Sequence, residues 1–246
     1  MRSTFPAPQH VILYGGSFDP PHLAHARLPP QARQQWAAQN SVDLATTPLF
    51  YVPAARSPHK ALTPEATDAQ RLRMLELALG SDLADPAAPV VIYTGELDRA
   101  AAAPGKPSYT IDTVMALRAQ LDAAGCPHTR LHLLIGADQL LALHRWHHAQ
   151  ELVALAPPLV MLRPPHTQLK PLADALLQTG AWSPVDLAYL LAALVTVPTM
   201  DASSTAARAA AAAGDITLLE AIVGPAVGGY IQQNKLYQSL AATDRQ

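Results

Sequence analysis

Cysteine is nearly absent from this chain. Cys126 stands alone among 246 residues, which excludes an intramolecular disulfide framework and suits a reducing compartment. It follows a glycine and reads as an ordinary small residue rather than a nucleophile. Excess charge is missing too: a formal net charge of -2 argues against a protein that coats nucleic acid or lies on a membrane surface. Any positive charge offered to an anionic ligand must therefore be local. Long apolar runs are also lacking. The most apolar stretch, Leu187 to Pro198, is too short to span a bilayer, and MRSTFPAPQH at the start has no apolar signal-peptide core, so the expected setting is the cytosol. Two phosphate-binding fingerprints are missing as well. No Gly-x-Gly-x-x-Gly follows the first predicted strand, and Gly105-Lys106 is followed by proline, which disfavours dinucleotide oxidoreductases and P-loop enzymes.

The chain does have many prolines and alanines, but they are scattered and form no internal repeat; a tract such as Ala206–Ala213 is a good helix former. Val11 to Tyr14 reads as a short buried strand, followed by strands at Pro48–Pro53, Val90–Thr94, Leu131–Ile135, Leu159–Leu162 and Leu194–Pro198. Helical spacing fills the intervals at 68–80, 108–124 and 140–152, the last with a break near Trp146, and near the end at 203–213 and 224–236. Short apolar strands alternating with amphipathic helices predict an α/β fold, a doubly wound parallel sheet. Ligands of such sheets bind outside the carboxyl ends of the strands. Polar groups collect there in sequence: Ser17 to His25, Arg56 to Lys60, Gly136 to Asp138 and Ser203 to Arg208.

The first of these corners is the most informative. Gly15-Gly16 breaks the first strand where the backbone turns tightly or meets a ligand closely. Asp19 is a candidate helix N-cap, with Pro20 and Pro21 at the first helical positions, where their missing N–H groups are not needed. His22 and His25 then share one face of the first turn, beside unpaired backbone N–H groups and the positive end of the helix dipole. Such a corner is an anion site suited to phosphate. Pro29-Pro30 predicts a kink or interruption farther along the same helix.

His22-Leu23-Ala24-His25 resembles the signature of the HxGH nucleotidyltransferase superfamily, with Ala24 where that superfamily usually has glycine. Beyond it the chain resembles one family in particular, nicotinate-nucleotide adenylyltransferase. The matching stretches are, in order, Tyr51–Lys60 (YVPAARSPHK), Ser108–Thr113 (SYTIDT), Ile135–Asp138 with Trp146 after it, Leu162–Pro164, and Ser203–Arg208 (SSTAAR) with Val223–Tyr237 behind it. They cover nearly the whole chain. The departures are Ala202 and Ala207, where the family usually has isoleucine, and a longer segment at Pro165–Ala192.

This resemblance implies a Rossmann-like nucleotidyltransferase domain across 1–246 with a candidate helical insertion at 165–192. It implies adenylyl transfer from ATP to nicotinate mononucleotide, giving nicotinic acid adenine dinucleotide and pyrophosphate. It assigns the catalytic contacts to His22, His25, Lys60 and Arg208, and ATP binding to Gly15, Gly16, Ser17, Phe18, Ser203, Ser204 and Thr205. Ser108, Tyr109, Thr110, Asp138 and Trp146 then serve the mononucleotide, its ring near Ser108–Thr110 and Trp146 and its ribose near Asp138. Mg²⁺ is expected on the ATP phosphates, with no protein ligand. The partners so implied are ATP and the mononucleotide, with no nucleic acid and no membrane, in a monomer or homo-oligomer.

Other readings stay open. The acceptor could be nicotinamide mononucleotide or phosphopantetheine, or the chain could bind ATP without turnover. Trp146 could be a core aromatic. His144, His147 and His148 read as a polar helix surface rather than a zinc site, having no nearby cysteine or acidic partner at ligand spacing. Glu96 and Asp98 could be paired carboxylates, but read better as the end of the third strand turning into a loop.

Overall fold

The computed structural model describes residues 7–55, 65–162 and 168–238. Six strands, β1 (His10–Gly16), β2 (Leu49–Pro53), β3 (Val90–Ile92), β4 (Arg130–Gly136), β5 (Pro158–Leu162) and β6 (Leu194–Thr196), form one sheet in the order β3-β2-β1-β4-β5-β6. Every pairing is parallel. The order reverses between β1 and β4, which opens a crevice at their carboxyl ends. Both faces of the sheet are covered, so alternate residues of each strand bury on opposite sides. Val11 and Leu13 pack with Leu131, Leu133 and Val160; Ile12 packs with Leu49, Tyr51, Leu134 and Leu159 on the other face.

On the Ile12 face lie α1 (Leu23–Asn40) and α2 (Asp68–Leu79). After β3 comes α3 (Gly95–Ala102). The Val11 face is covered by α4 (Thr110–Ala123), α5 (Ala137–Ala142), α6 (Ala149–Leu155), α7 (Leu169–Gln178) and α8 (Pro184–Leu190). Here α7 and α8 account for much of the 165–192 segment, burying Leu172, Leu176, Leu187 and Leu190 in that core. The chain ends in α9 (Ser204–Ala213), α10 (Ile216–Val223) and α11 (Pro225–Gln233), which pack with Met74 of α2 as a third cluster.

All six expected strands form; the helices depart from expectation in four places. First, α1 starts at Leu23 with His22 as its N-cap, so Asp19, Pro20 and Pro21 precede it. The Asp19 carboxylate is occupied by other partners. Second, α1 runs unbroken through Pro29 and Pro30. Pro29 can return no N–H to the His25 carbonyl, but the Tyr51 hydroxyl donates to that oxygen at 3.0 Å and replaces the lost helical bond. Third, Glu96 and Asp98 lie in the first turn of α3, where carboxylates favour the helix dipole. Fourth, the helix expected at 224–236 forms as α11, but α10 at Ile216–Val223 precedes it where no helix was expected.

At the amino end of the sheet, His10 Nδ1 and His132 Nε2 are 3.0 Å apart. The Trp36 ring lies 4.6 Å from the His132 ring. One imidazole must donate and the other accept, so a second proton would set two donors face to face. Burial, with His10 and Arg130 nearby, lowers the His132 pKa to about 4. The folded value lies below the unfolded one, so this contribution to stability is complete above about pH 6.5 and is lost as pH falls toward 4. In urea titrations at pH 7.5 and pH 4.5, the wild type is expected to lose on the order of 2 kcal/mol more than His132→Phe. Equal losses would show that the pair does not titrate with folding.

Candidate functional site

The crevice between β1 and β4 widens into a cavity of about 570 Å³. Its wall includes Tyr14 to Phe18, His22, Ala24 and His25 from the β1–α1 corner, and Gly136 and Asp138 from the end of β4. Ser108, Tyr109 and Thr110 line it at the start of α4, Trp146 and His147 from the turn before α6, and Ala202, Ser203 and Ser204 at the start of α9.

Two imidazoles dominate the corner. The His22 and His25 rings stack with centroids 3.6 Å apart and an interplanar angle of 24°. The His22 backbone N–H donates to His25 Nδ1 at 3.3 Å, as the third residue of a capping box would accept. With Nδ1 accepting, the ring proton lies on Nε2. Phe18 fixes the same imidazole edge-on, at 5.1 Å between centroids. Its backbone φ of 48° is left-handed, a conformation that costs a phenylalanine on the order of 1–2 kcal/mol. The ring folds back over Gly16, where a Cβ would stand 2.8 Å from Phe18 Cε1. Glycine is needed there for close approach. Phe18 lines the cavity although the residue is only 1% exposed. The Ala24 methyl also forms part of the wall.

Three distant elements hold this corner in place. Arg71 of α2, fully buried, donates to the Ser17 carbonyl at 2.6 Å and to Asp68 at 2.7 Å. Ser204 donates to the Pro20 carbonyl at 2.9 Å. Asp19, itself buried, accepts from the Glu65 and Ala66 N–H groups at 2.8 and 3.2 Å, and from the Tyr237 hydroxyl at 2.6 Å. This is why it caps no helix. Burial and the Asp19 carboxylate push the Tyr237 hydroxyl far above its ordinary pKa, keeping it a donor.

Arg208 belongs to the same clasp. Its guanidinium donates to the Asp19 carbonyl at 2.7 Å and pairs with Glu65 at 3.1 Å, and neither it nor Thr205 lines the cavity. Ser203 caps α9, accepting from the Ala206 N–H at 3.1 Å, and with Ser204 it places the start of that helix at the cavity wall. Lys60 lies outside the described residues, as does the whole Arg56–Lys60 loop.

The opposite wall is less polar. Tyr109 is the N-cap of α4, whose side chain makes no cap bond. Its ring stacks on His147 at 4.2 Å and 28°. His147 is exposed, as expected of it, and also lines the cavity; His148, the N-cap of α6, lies 3.4 Å from Glu151. Glu96 is buried at the rim and accepts from the Ala55 N–H at 3.2 Å; burial raises its pKa against that bond. Among the described residues no group of three or more His, Cys, Asp or Glu side chains could hold a metal ion. No helix among them is long and apolar enough to cross a membrane.

Sequence reasoning missed Arg71, and it gave no role at the site to Tyr51, Tyr237 or Glu96. Arg71 had a signal: it falls on the stripe of Met74, Leu75 and Leu79, so an arginine sits where helical spacing calls for an apolar residue. The other three are tyrosines or a glutamate whose partners lie far away in sequence, and nothing local gives their roles.

The cytidylyltransferase-like family matches residues 13–210 of the chain. A protein named probable nicotinate-nucleotide adenylyltransferase from Stenotrophomonas maltophilia is 37% identical over 236 residues, covering 93% of this chain and 96% of the relative. One of the same name from Chromobacterium violaceum is 32% identical over 232 residues, covering 93% and 98%. Among solved structures, Plasmodium falciparum nicotinic acid mononucleotide adenylyltransferase complexed with NaAD is similar with a TM-score of 0.63 at 16% identity, over 93% of this chain and 97% of that one. That likeness is one of fold.

The clasp at Asp19 is testable by stability. Tyr237→Phe removes one charge-assisted bond and is expected to cost about 1.5–3 kcal/mol in urea unfolding. Asp19→Ala strands two backbone N–H groups as well and should cost more. If Tyr237→Phe unfolds like the wild type, the chain end does not brace the corner.

Proposed function

This chain belongs to the nicotinate-nucleotide adenylyltransferase family within the cytidylyltransferase-like group, and we propose that it transfers the adenylyl group of ATP to nicotinate mononucleotide, yielding nicotinic acid adenine dinucleotide and pyrophosphate in NAD biosynthesis. The observation that carries the reading is the stacked His22–His25 pair at the first turn of α1, facing the cavity where the strand order reverses. An oxygen of the mononucleotide phosphate attacks the α-phosphorus of ATP. The bond from that phosphorus to the bridging oxygen breaks, and its electron pair leaves on pyrophosphate. No protein nucleophile is needed, so catalysis rests on positioning and on matching the charge that builds up.

In this reading His22 and His25 donate to the ATP phosphates, His25 through Nε2. Gly15, Gly16, Ser17 and Phe18 contribute backbone around the same phosphates. Ser203 and Ser204 at the start of α9 meet the pyrophosphate portion, with Thr205 behind them in the same turn. Arg208 reaches it by leaving Glu65, an ion pair whose carboxylate is 60% exposed and which is worth at most about 1 kcal/mol. Lys60 adds a point charge to the triphosphate. Mg²⁺ enters as part of the ATP substrate and neutralises phosphate charge. The nicotinate carboxylate accepts from backbone N–H groups at Ser108, Tyr109 and Thr110, Trp146 stacks on the pyridine ring, and Asp138 accepts from the ribose. The single free thiol, Cys126, agrees with a cytosolic setting.

Pure protein with ATP, Mg²⁺ and nicotinate mononucleotide is expected to release pyrophosphate, and to do so faster than with the amide mononucleotide. Silence with both, together with turnover of phosphopantetheine, would overturn the assignment. His25→Ala should lower kcat by about 100-fold or more while KM for the mononucleotide stays within about threefold, because its contact strengthens as the phosphate rearranges. Equal losses in both would make His25 a binding residue only.

A further inference from the structure

A helical carbonyl is normally satisfied by the N–H four residues on, and for His25 that residue is Pro29. The acceptor is met from outside the helix. The hydroxyl of Tyr51, on β2, donates to the His25 carbonyl at 3.0 Å. Tyr51 has no solvent exposure and does not line the cavity, so its hydroxyl is not a ligand contact. Its ring is held edge-on by Tyr14, at 5.6 Å and 89°, and lies 6.0 Å from the Phe18 ring that in turn braces the His25 imidazole. Burial holds the hydroxyl protonated, hence a donor.

We propose that Tyr51 is a positioning residue for His25, and that Pro29 is the feature that makes it one. Without a helical donor for the His25 carbonyl, the orientation of the first turn of α1 is referred to the sheet through Tyr51 rather than to the helix alone. The turn is short and carries both imidazoles, so a small rotation there displaces His25 Nε2 from the phosphates. This inference rests on the adenylyl-transfer reading for its kinetic consequence, but its structural part does not depend on that reading.

A double-mutant cycle separates positioning from packing. Tyr51→Phe is expected to lower kcat by about 10- to 100-fold with both KM values within about threefold, since a displacement near 1 Å costs roughly that much. Pro29→Ala restores a backbone N–H at that position, which can serve the His25 carbonyl, and in this background the same Tyr51→Phe change should cost less than about threefold. The His25 imidazole resonances, read by NMR in the ligand-free protein, should move in Tyr51→Phe and return in the double variant. An equal loss in both backgrounds, or unchanged resonances and kcat in Tyr51→Phe, would overturn the proposal. Absence of pyrophosphate release by the wild type would instead sink the functional reading, and the resonances would still decide whether Tyr51 positions His25.

Discussion

Backbone carbonyls and one carboxylate between Ser17 and His25 must all find donors, and the ligand end of this protein is arranged around that requirement. A tight strand-to-helix corner cannot satisfy itself, because its residues belong to neither ladder. Each demand is met from a different place: Arg71 for the Ser17 carbonyl, Arg208 for that of Asp19, Ser204 for Pro20, Tyr51 for His25, and Tyr237 with two N–H groups for the Asp19 carboxylate. Strand β2 and helices α2, α9 and the chain end thus converge on a few residues. Low-dielectric burial makes any orphaned group costly, so these bonds fix the corner more firmly than local propensity could.

This convergence also supplies charge without a charged chain. A net charge of -2 leaves no general attraction for polyphosphate, and the buried Arg71 is taken up by the Ser17 carbonyl and Asp68, so it is the starts of α1 and α9, with the positive ends of their helix dipoles, that line one cavity. Groups held in place before the ligand arrives need no reorganisation as charge shifts from the α-phosphorus to the leaving oxygen. The left-handed Phe18 and the close approach at Gly16 store some strain to keep that geometry.

Much of this was legible in the sequence. All six strands could be read because each is a short apolar run bounded by turn residues, and the alternation of strands with helices fixed the sheet as parallel. The corner and its two histidines were visible for the same local reason. What failed was every inference that treated a local rule as final. Asp19 had the composition of a cap but serves a tertiary clasp, and Pro29 should have broken α1 but for a tyrosine on β2. His147 is surface as read, but its partner, Tyr109, lies 38 positions away in the numbering, and only folding brings the rings to 4.2 Å at the cavity wall. Local sequence identifies which groups need partners; it does not say which distant residue supplies them.

The two ends of β1 show how separate the demands of stability and function are in one strand. At its amino end His10 joins His132, beside Trp36, in a half-buried pair that works only while neutral, at the far end of the strand from the cavity. At its carboxyl end Gly15 and Gly16 carry no side chain where the strand meets the cavity. Between them Val11, Ile12 and Leu13 bury completely or nearly so and tie both ends to β2 and β4. Acid therefore acts on the fold through the amino end of this strand, where the lowered His132 pKa ties the neutral pair to the folded state.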